Sequence, residues 1–574
     1  FTSYFGSAIN VEGVLALNGG TVNGTESAAS TFTGAGTLKI GGQMTFNGRF
    51  ENFGTLQLDG GAVFDFGGLS NNAVEKVHFT GTTDAVMNIT NGIFTAGSLV
   101  FDDNSKGSIN IAQNGTLALD AGGNDVSSII HGTGSIGGAG ALLLVGNTSV
   151  NFGGNDKIKN LGTLKIEDGT ATISGSIKIG AVEFVPNKKG TLNIKSGKVL
   201  ELQKIQTKDN NTVKGAGTLK LTGTEKSTFG GPVSALGTLE FANGGVEFSN
   251  GGVSIVGTIT GNGGDLTVNN GTLEIGDALS MTGGKVSGSG TLRLTKGGSI
   301  STKNLNRLIV GGNTTFKEDS SVTDLQFSKA AEIDITSALT VGGAVTTIDG
   351  AIIKGGTLSV LGTGAFAANS VKTNVLSLSS GAKATFAGDN ALKQLDLAAN
   401  SAVSINSGAT LTLAQTAVGS AQSVFTGAGT LALNNKSGMT VNSKLSDLGG
   451  LSVLQSATLS GTAQVGTITV GNGALTVNAA AQANTVSIAS GAGLVQNADM
   501  TVGTLSFGAN SGSTLTVNKT LNITQKIDTA SNTLNGTGTI NLSGGANGSF
   551  ATGTSFENGN LRIGSGTASF TGNT

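Results

Sequence analysis

The chain of 574 residues contains no cysteine, no tryptophan, one tyrosine and only two prolines. Without cysteine, neither a disulfide scaffold nor a thiolate-ligated metal site can form. Charged residues make up 12% of the chain and the formal net charge is −2. Because nucleic-acid-binding proteins concentrate lysine and arginine, this balance predicts no nucleic-acid partner. No apolar run approaches the roughly 20 residues that a membrane helix requires, so we predict no membrane insertion by this segment.

Glycine and phenylalanine are the residues that stand out by their abundance. The chain has 95 glycines, and phenylalanine accounts for 25 of its aromatic residues, against one tyrosine. Collagen is excluded, because proline is scarce and glycine does not recur at every third position. Disorder driven by charge is disfavoured, because 37% of the residues are hydrophobic. After these exclusions, the composition favours a repetitive, well-packed architecture.

A short phrase, Gly-Thr-Leu or Gly-Thr-Ile followed by a polar and an apolar residue, recurs along the chain. It begins at Gly36 and again at Gly54, and the copies at Gly217, Gly237 and Gly257 follow one another at equal steps. The steps that lead from Gly162 to Gly190 and on to Gly217 are clearly longer. We interpret these longer steps as insertions into a repeat of about 18 to 20 residues, which is close to the range of solenoid proteins.

Within the phrase, polar and apolar residues alternate with the period of a β-strand, as in Thr37-Leu38-Lys39-Ile40. Identical phrases at one step stack most naturally in parallel. The sequence therefore predicts an all-β, right-handed parallel β-helix (β-solenoid) with coils of about 18–20 residues and occasional insertions. We expect one continuous solenoid over residues 1–574, with excursions near 186–214 and 301–335, where charge density rises. Aliphatic and phenylalanine side chains should be enclosed, hydroxyls and amides should face outward, and glycine should supply positive φ at the corners.

Several segments resemble the passenger repeats of Gram-negative autotransporters. The segments that carry the resemblance are 33–40, 286–294 and 425–431, which share the phrase Gly-Ala-Gly-Thr-Leu or Gly-Ser-Gly-Thr-Leu. Together with Asn-Gly and Phe-Gly-Gly turns, they are most similar to rickettsial surface antigens of the outer-membrane-protein-A/B (surface cell antigen) type. The resemblance implies a secreted passenger on the outer surface of a Gram-negative bacterium. The family's membrane β-barrel is expected to be absent from this segment, whose last residues keep the repeat style.

The sequence offers little that indicates catalysis, and we predict no enzyme, no cofactor and no metal site. His78 and His131 are the only histidines, and we interpret both as exposed loop residues. The acidic residues Asp102, Asp103 and Asp156 could line one face of the helix, as in pectate-lyase-like enzymes. Carbohydrate clefts usually carry aromatic platforms, which a chain without tryptophan and with one tyrosine can hardly supply.

One basic cluster is the candidate contact patch. It contains Lys188, Lys189, Lys195, Lys198, Lys204 and Lys208, and Lys214 follows closely. Lys189 and Lys208 lie near one coil apart along the chain and could stack on one face. Such a patch could meet an acidic glycan, lipopolysaccharide or a partner subunit. The interpretation that we favour is that Glu183, Glu201 and Asp209 offset the lysines on a solvated surface.

Three functions stay open at this point. The first is a non-enzymatic bacterial surface protein, whose extended passenger acts in adhesion or host-cell contact through a receptor or glycan on a host or neighbouring cell. The second is a structural subunit of a self-assembling surface layer or sheath, which would require self-association. The third is a polysaccharide-active β-helix enzyme. The first is the prediction that we carry forward.

Overall fold

The computed structural model describes residues 1–69, 72–121, 125–126 (backbone only), 134–154, 157–509, 512–529, 532–557 and 559–571. Regular structure in these residues is β-strand, and no α-helix occurs among them. The chain divides into two compact units, Phe1–Lys296 and Gly297–Thr574. Both are parallel β-solenoids, with about 27 turns in the two together. The prediction of an all-β parallel solenoid is confirmed.

The first unit contains strands β1 to β30. In chain order they are β1 (Ala8–Asn10), β2 (Val14–Leu17), β3 (Gly20–Val22), β4 (Thr31–Ile40), β5 (Gln43–Phe46), β6 (Arg49–Leu58), β7 (Val63–Phe66), β8 (Asn72–Phe79), β9 (Val86–Phe101), β10 (Ser108–Leu119), β11 (Asp125–Val126), β12 (Ser135–Gly137), β13 (Ala141–Leu144), β14 (Ser149–Phe152), β15 (Ile158–Lys159), β16 (Leu161–Ile166), β17 (Thr170–Ile173), β18 (Ile177–Phe184), β19 (Thr191–Ile194), β20 (Val199–Thr207), β21 (Thr212–Lys214), β22 (Thr218–Leu221), β23 (Ser227–Phe229), β24 (Val233–Ser234), β25 (Leu236–Phe241), β26 (Val246–Phe248), β27 (Val253–Asn262), β28 (Leu266–Val268), β29 (Thr272–Thr282) and β30 (Val286–Leu294).

The second unit contains strands β31 to β63. In chain order they are β31 (Gly298–Ile300), β32 (Thr302–Val310), β33 (Thr314–Phe316), β34 (Ser320–Phe327), β35 (Glu332–Val341), β36 (Ala344–Thr346), β37 (Ile352–Val360), β38 (Thr363–Phe366), β39 (Val371–Leu378), β40 (Lys383–Phe386), β41 (Asn390–Leu392), β42 (Leu395–Leu397), β43 (Ala402–Ile405), β44 (Thr410–Leu413), β45 (Ala417–Val418), β46 (Val424–Thr426), β47 (Thr430–Leu433), β48 (Met439–Val441), β49 (Lys444–Val453), β50 (Ala457–Leu459), β51 (Ala463–Val470), β52 (Ala474–Val477), β53 (Ala481–Ile488), β54 (Gly493–Gln496), β55 (Met500–Phe507), β56 (Thr514–Val517), β57 (Thr520–Thr529), β58 (Thr533–Asn535), β59 (Thr539–Leu542), β60 (Ala546–Phe550), β61 (Ser555–Glu557), β62 (Asn560–Ile563) and β63 (Gly566–Phe570).

Where the chain is described without gaps, a turn is made of three strand segments, and each segment pairs in parallel with its equivalent in the next turn. In the first unit, Leu164 of β16 pairs with Val182. Ala171 of the following strand β17 pairs with Leu192, and Ile179 of β18 pairs with Leu202. Because like residues meet from turn to turn, the apolar positions form continuous buried columns.

The length of a turn varies more than the sequence predicted. Leu239 pairs with Ile259, which is one repeat of the expected length later. The step from Ile109 to its partner Ile136 is much longer, and in the second unit the step from Leu451 to Ile468 is shorter. Part of the variation arises within the strands, since the register of β49 against β51 shifts between Leu445 and Leu448.

The irregular steps between copies of the Gly-Thr-Leu phrase have a different cause from the insertions that we predicted. The copies that begin at Gly162, Gly190 and Gly217 lie in three different strand columns of the first unit. The residue after Gly162 pairs with Ala141, and the residue after Gly190 pairs with Thr170. The phrase therefore marks the beginning of a strand, and it does not mark one position in each turn.

The glycine of the phrase is required by close approach of the neighbouring turn. A Cβ at Gly237 would lie 2.3 Å from the carbonyl oxygen of Ala216, and a Cβ at Gly162 would lie 2.1 Å from that of Ala139. Neither glycine has a positive φ. Our explanation by positive φ holds at other corners, for example at Gly215, where φ is +104°.

Phenylalanine stacks inside the first unit, as the sequence predicted. Phe46 and Phe50 stack with ring centroids 4.3 Å apart, and Phe79 and Phe101 stack at 4.5 Å. All four side chains are buried. In the second unit, the ring of Phe366 lies 5.3 Å from that of Phe386, and the rest of that core consists mainly of leucine, valine, isoleucine and alanine.

Some amides and hydroxyls are buried at corners of the solenoid, whereas we expected these side chains along its outside and at its corners. Asn390 is buried, and its carboxamide accepts from the backbone N–H of Ser370 (3.1 Å) and donates to the carbonyl of Ala367 (2.9 Å). Ser423 and Ser443 are buried against each other with their hydroxyl oxygens 2.6 Å apart. These groups satisfy polar atoms at corners, where the strand ladder is interrupted.

The two segments that we expected to leave the solenoid contain strands of its ladders. Within 186–214, Thr191 pairs with Thr212 and Leu200 with Leu219. Within 301–335, Leu308 pairs with Leu325 and Thr314 with Ile333. The charged residues that suggested an excursion occupy outward positions of these strands and the turns between them.

Candidate functional site

The structure distributes the six lysines of the predicted contact patch over different parts of the first unit. Lys188 and Lys189 lie between β18 and β19, and Lys208 lies at the equivalent corner one turn later. Asn211 connects these two turns: its carboxamide accepts from the Lys208 N–H (2.8 Å) and donates to the Lys188 carbonyl (2.8 Å). Lys189 and Lys208, which we expected to lie near each other, are therefore found at the same corner of two successive turns.

The other three lysines lie elsewhere. Lys195 and Lys198 form the turn between β19 and β20, in which the N–H of Lys198 donates to the carbonyl of Lys195 at 3.1 Å. Lys204 lies within β20, opposite Ala181 of the preceding turn. The six residues therefore do not make one continuous basic face.

Acidic side chains of neighbouring turns neutralise two of the six lysines. The Nζ atom of Lys188 lies 2.8 Å from Glu167 and 3.2 Å from Asp168. The Nζ atom of Lys204 lies 2.6 Å from Glu225. In the part of the chain that the structure describes, the remaining four have no carboxylate within 4.0 Å of Nζ; they are Lys189, Lys195, Lys198 and Lys208.

Two of the acids that we expected to offset the patch pair with other lysines. Glu183 lies 3.8 Å from Lys165, and Glu201 lies 2.8 Å from Lys178 and 3.4 Å from Lys220. Lys178, Glu201, Lys220 and Glu240 are successive register partners, so the sign of the charge alternates from turn to turn. Opposite charges directly across a ladder favour the observed register.

These pairs shift the pKa values of their members in the direction that keeps them charged. The hydrogen bond from Lys204 lowers the pKa of Glu225, and the hydrogen bond from Lys178 lowers the pKa of Glu201. The hydrogen bonds to Glu167 and then Asp168 raise the pKa of Lys188. The charges are thus fixed at neutral pH and none of these groups is poised for proton transfer there.

A groove of about 580 Å³ opens on the first unit where β18 and β20 bend. Its floor consists of small residues, among them Ala139, Gly162 and Gly180, and its walls carry Lys204 and Glu225. Gly162 and Gly180 stack closely, because a Cβ on Gly180 would lie 2.3 Å from the Gly162 carbonyl oxygen. Since these charged wall residues pair with each other, the groove presents mixed and internally compensated charge.

His78 is not the loop residue that the sequence suggested. It lies in β8, its side chain is 23% exposed, and Nε2 is 2.8 Å from Oδ1 of Asp102 in the next turn. The positions of His131 and Asp156 fall outside the described residues. Among the residues that are described, no group of three histidine, aspartate or glutamate side chains could hold a metal ion.

Sequence reasoning missed a second surface, on the second unit. Two adjoining grooves of about 430 and 280 Å³ share Gln464 and Gln482 in their walls. These glutamines are register partners in β51 and β53. The signal was present in the sequence, because the dipeptide Ala-Gln occurs at Ala463 and again at Ala481, one turn apart.

Comparison with known proteins does not assign the chain to a family. No protein-family model, no curated protein and no solved structure matches the chain significantly. In the described part of the chain there is also no helix long and apolar enough to cross a membrane. The resemblance to autotransporter passengers is therefore supported at the level of the β-solenoid fold.

Proposed function

We propose that the chain is a non-enzymatic passenger segment, displayed on the surface of a Gram-negative bacterium, that acts in adhesion or host-cell contact. The observation that carries the proposal is the in-register stack, which repeats the same outward side chains from turn to turn. In the second unit, for example, Thr467, Thr485 and Thr504 follow one another as register partners. Weak contacts repeated in this way add up by avidity, without a deep pocket.

The character of the charged side chains supports a binding role over a catalytic one. Many lysines and glutamates of the first unit are engaged in cross-turn pairs such as Lys226 with Glu247, at 2.9 Å. A general acid or base needs a pKa close to the working pH. The hydrogen bonds in these pairs move the carboxylate pKa values further below neutrality. The absence of cysteine also suits a protein that is exported through an oxidising compartment.

The proposal is tested by coating beads with the full chain and counting the beads that host-cell monolayers retain. We expect retention about tenfold or more above that of beads coated with the heat-unfolded chain, and a steep dependence on coating density because the contacts are multivalent. Retention equal to that of the unfolded control would contradict the proposal. Electron microscopy of the free chain gives a second readout, in which separate particles are expected and ordered arrays would favour the surface-layer function.

A further inference from the structure

The two adjoining grooves of the second unit carry amide side chains without internal partners, and two of these amides are register partners on successive turns. We call them together the amide groove. Its polar walls include Gln464, Gln482 and Asn484. All three side chains are exposed, and none of them makes a hydrogen bond within the described residues. The first-unit groove also carries two exposed amides without a hydrogen bond in the described residues, Asn160 and Gln203, but there they share the groove with the Lys204–Glu225 ion pair.

The floor of the amide groove is kept shallow by small residues. Ala463 and Ala481 are register partners and are almost fully buried. At the adjoining corner, a Cβ on Gly449 would lie 2.1 Å from the Ala428 carbonyl oxygen, and a Cβ on Gly466 would lie 2.6 Å from that of Gly449. Only glycine fits at these two positions, so the wall amides stand above a smooth floor.

The groove runs along successive turns. Gln464 pairs with Gln482, which pairs with Thr501 in β55, so polar side chains recur once per turn along one wall. Lys444, in β49, lies one turn earlier. Four successive turns at the strand spacing of about 4.8 Å give a groove roughly 15 Å long. A linear, extended ligand fits this shape better than a compact one.

The chemistry of the walls favours an uncharged ligand rich in hydroxyl groups. A carboxamide offers two donors and an acceptor, and a sugar hydroxyl both donates and accepts. The charged groups at the groove are Lys444, Asp447 and Asp499, so carboxylates outnumber the lysine and a polyanion is disfavoured. A peptide cannot add as an extra strand, because the backbone groups of β51 and β53 are already used in the ladder.

We propose that the amide groove binds an uncharged, linear polysaccharide lying along the turns, with the carboxamides of Gln464 and Gln482 hydrogen-bonding its hydroxyl or acetamido groups. The inference rests on the proposed adhesive function and names the ligand class for one of its surfaces. The residues that line the groove include no aromatic side chain on which a sugar could stack. Each sugar is therefore held weakly, and affinity should rise with chain length.

The test uses calorimetric titration of the full chain with cellohexaose, laminarihexaose and chitohexaose, and with the hexamer of galacturonic acid as the charged comparison. We expect at least one neutral hexamer to bind saturably and its monosaccharide not to bind. Binding of none of the three neutral hexamers, or tighter binding of the galacturonate hexamer, would overturn the proposal.

Variants assign the binding to the groove. The double substitution Gln464→Ala with Gln482→Ala should weaken binding about tenfold, since two hydrogen-bonding groups are lost. Gln464→Glu with Gln482→Glu should also weaken it, because a carboxylate cannot donate. The matched control is Thr458→Ala with Thr476→Ala, a register pair on another strand column of the same unit. Equal loss in the control, or no loss in the glutamine variants at unchanged melting temperature, contradicts the proposal.

The bead assay separates this inference from the proposed function. If beads carrying the Gln464→Ala and Gln482→Ala variant are retained by cells as well as the unsubstituted chain, adhesion stands and the groove is not its basis. If the unsubstituted chain is not retained but still binds a neutral hexamer, the groove inference stands and the adhesive function fails.

Discussion

At the residue scale, this chain uses a small set of side chains, each for a distinct physical reason. Phenylalanine fills the interior because it has no polar atom that needs a partner. Asparagine appears in two roles. Buried Asn390 satisfies backbone groups at a corner, whereas Asn478, Asn497 and Asn518 form an outward ladder. In that ladder each carboxamide donates to the one in the preceding turn, at 2.9 and 2.8 Å.

Charged residues act mainly as cross-turn pairs that hold the register. Each surface pair of this kind contributes little by itself, because water screens it. Several such pairs in the first unit together give a reason to expect that its stability depends on pH. Three glutamates have pKa values below the ordinary 4.5, and in each a hydrogen bond from a lysine is the largest cause. The pairs are Glu201 with Lys178, Glu225 with Lys204, and Glu247 with Lys226.

We predict that these three glutamates stabilise the folded chain at neutral pH and that this contribution disappears in acid. A carboxylate whose pKa is lowered by folding contributes stability above its ordinary pKa, and the contribution is lost as the pH falls through the lowered value. The melting temperature of the unsubstituted chain should therefore fall more between about pH 6 and pH 3 than that of the triple variant Glu201→Gln, Glu225→Gln, Glu247→Gln.

The matched control for this experiment is Glu75→Gln. Glu75 is exposed and has no lysine or arginine within 4.0 Å among the described residues. The pH profile of this variant should follow that of the unsubstituted chain. If the triple variant shows the same acid dependence as the unsubstituted chain, the cross-turn pairs do not contribute to stability in this way.

At the element scale, the corner is the critical part of each turn. Strands of successive turns are about 4.8 Å apart, so the neighbouring turn leaves no room for a side chain that points along the stack. This is why glycine occupies position 162 near the start of β16 and position 237 near the start of β25. Where the corner is open, glycine is not required by contact: a Cβ added to Gly251 would have no atom within 4 Å.

We predict that Gly237→Ala destabilises the first unit by about 1–3 kcal/mol, the usual cost of forcing atoms into a packed site. The added methyl would meet the Ala216 carbonyl oxygen at 2.3 Å, so the turn must shift. Gly251→Ala is the matched control and should change stability by less than about 1 kcal/mol, because its corner is open and its φ is not positive. Urea unfolding measures both. Equal effects at the two positions would show that corner packing is not the reason for the glycine.

At the scale of the whole molecule, stability is carried by contacts between neighbouring turns. The core of a solenoid is built from contacts between neighbouring turns, so each turn is stabilised by the turns on either side of it. In the second unit, β47 pairs with β44 before it and with β49 after it. β62 pairs with β59, and its residues are largely exposed.

Hydrogen exchange should therefore differ along the second unit. We expect the amides of β62 to exchange at least about tenfold faster than those of β47, because exposed strands open locally with little loss of contact. Mass spectrometry of peptides that cover the two strands measures the difference. Equal protection of the amides in both strands would contradict this prediction, because it would show that the unit opens as a whole.

Much of the architecture could be predicted from the sequence because it follows from local rules. The alternation in Thr37-Leu38-Lys39-Ile40 identifies a half-buried strand, and the recurrence of many such strands along the chain identifies a solenoid. The stacking of phenylalanine inside the first unit followed from composition. The register between turns, by contrast, depends on how many residues each turn contains. No local sequence pattern encodes that number.

The sequence by itself determined that this protein is a parallel β-solenoid, because alternation and repeat length are properties of neighbouring residues along the chain. Only the tertiary structure decided which side chains meet. It placed Gly162, Gly190 and Gly217 in three different columns, separated the six lysines, and aligned Gln464 with Gln482. The physical reason is that a neighbour in the stack is one turn away, and the length of that turn varies from place to place.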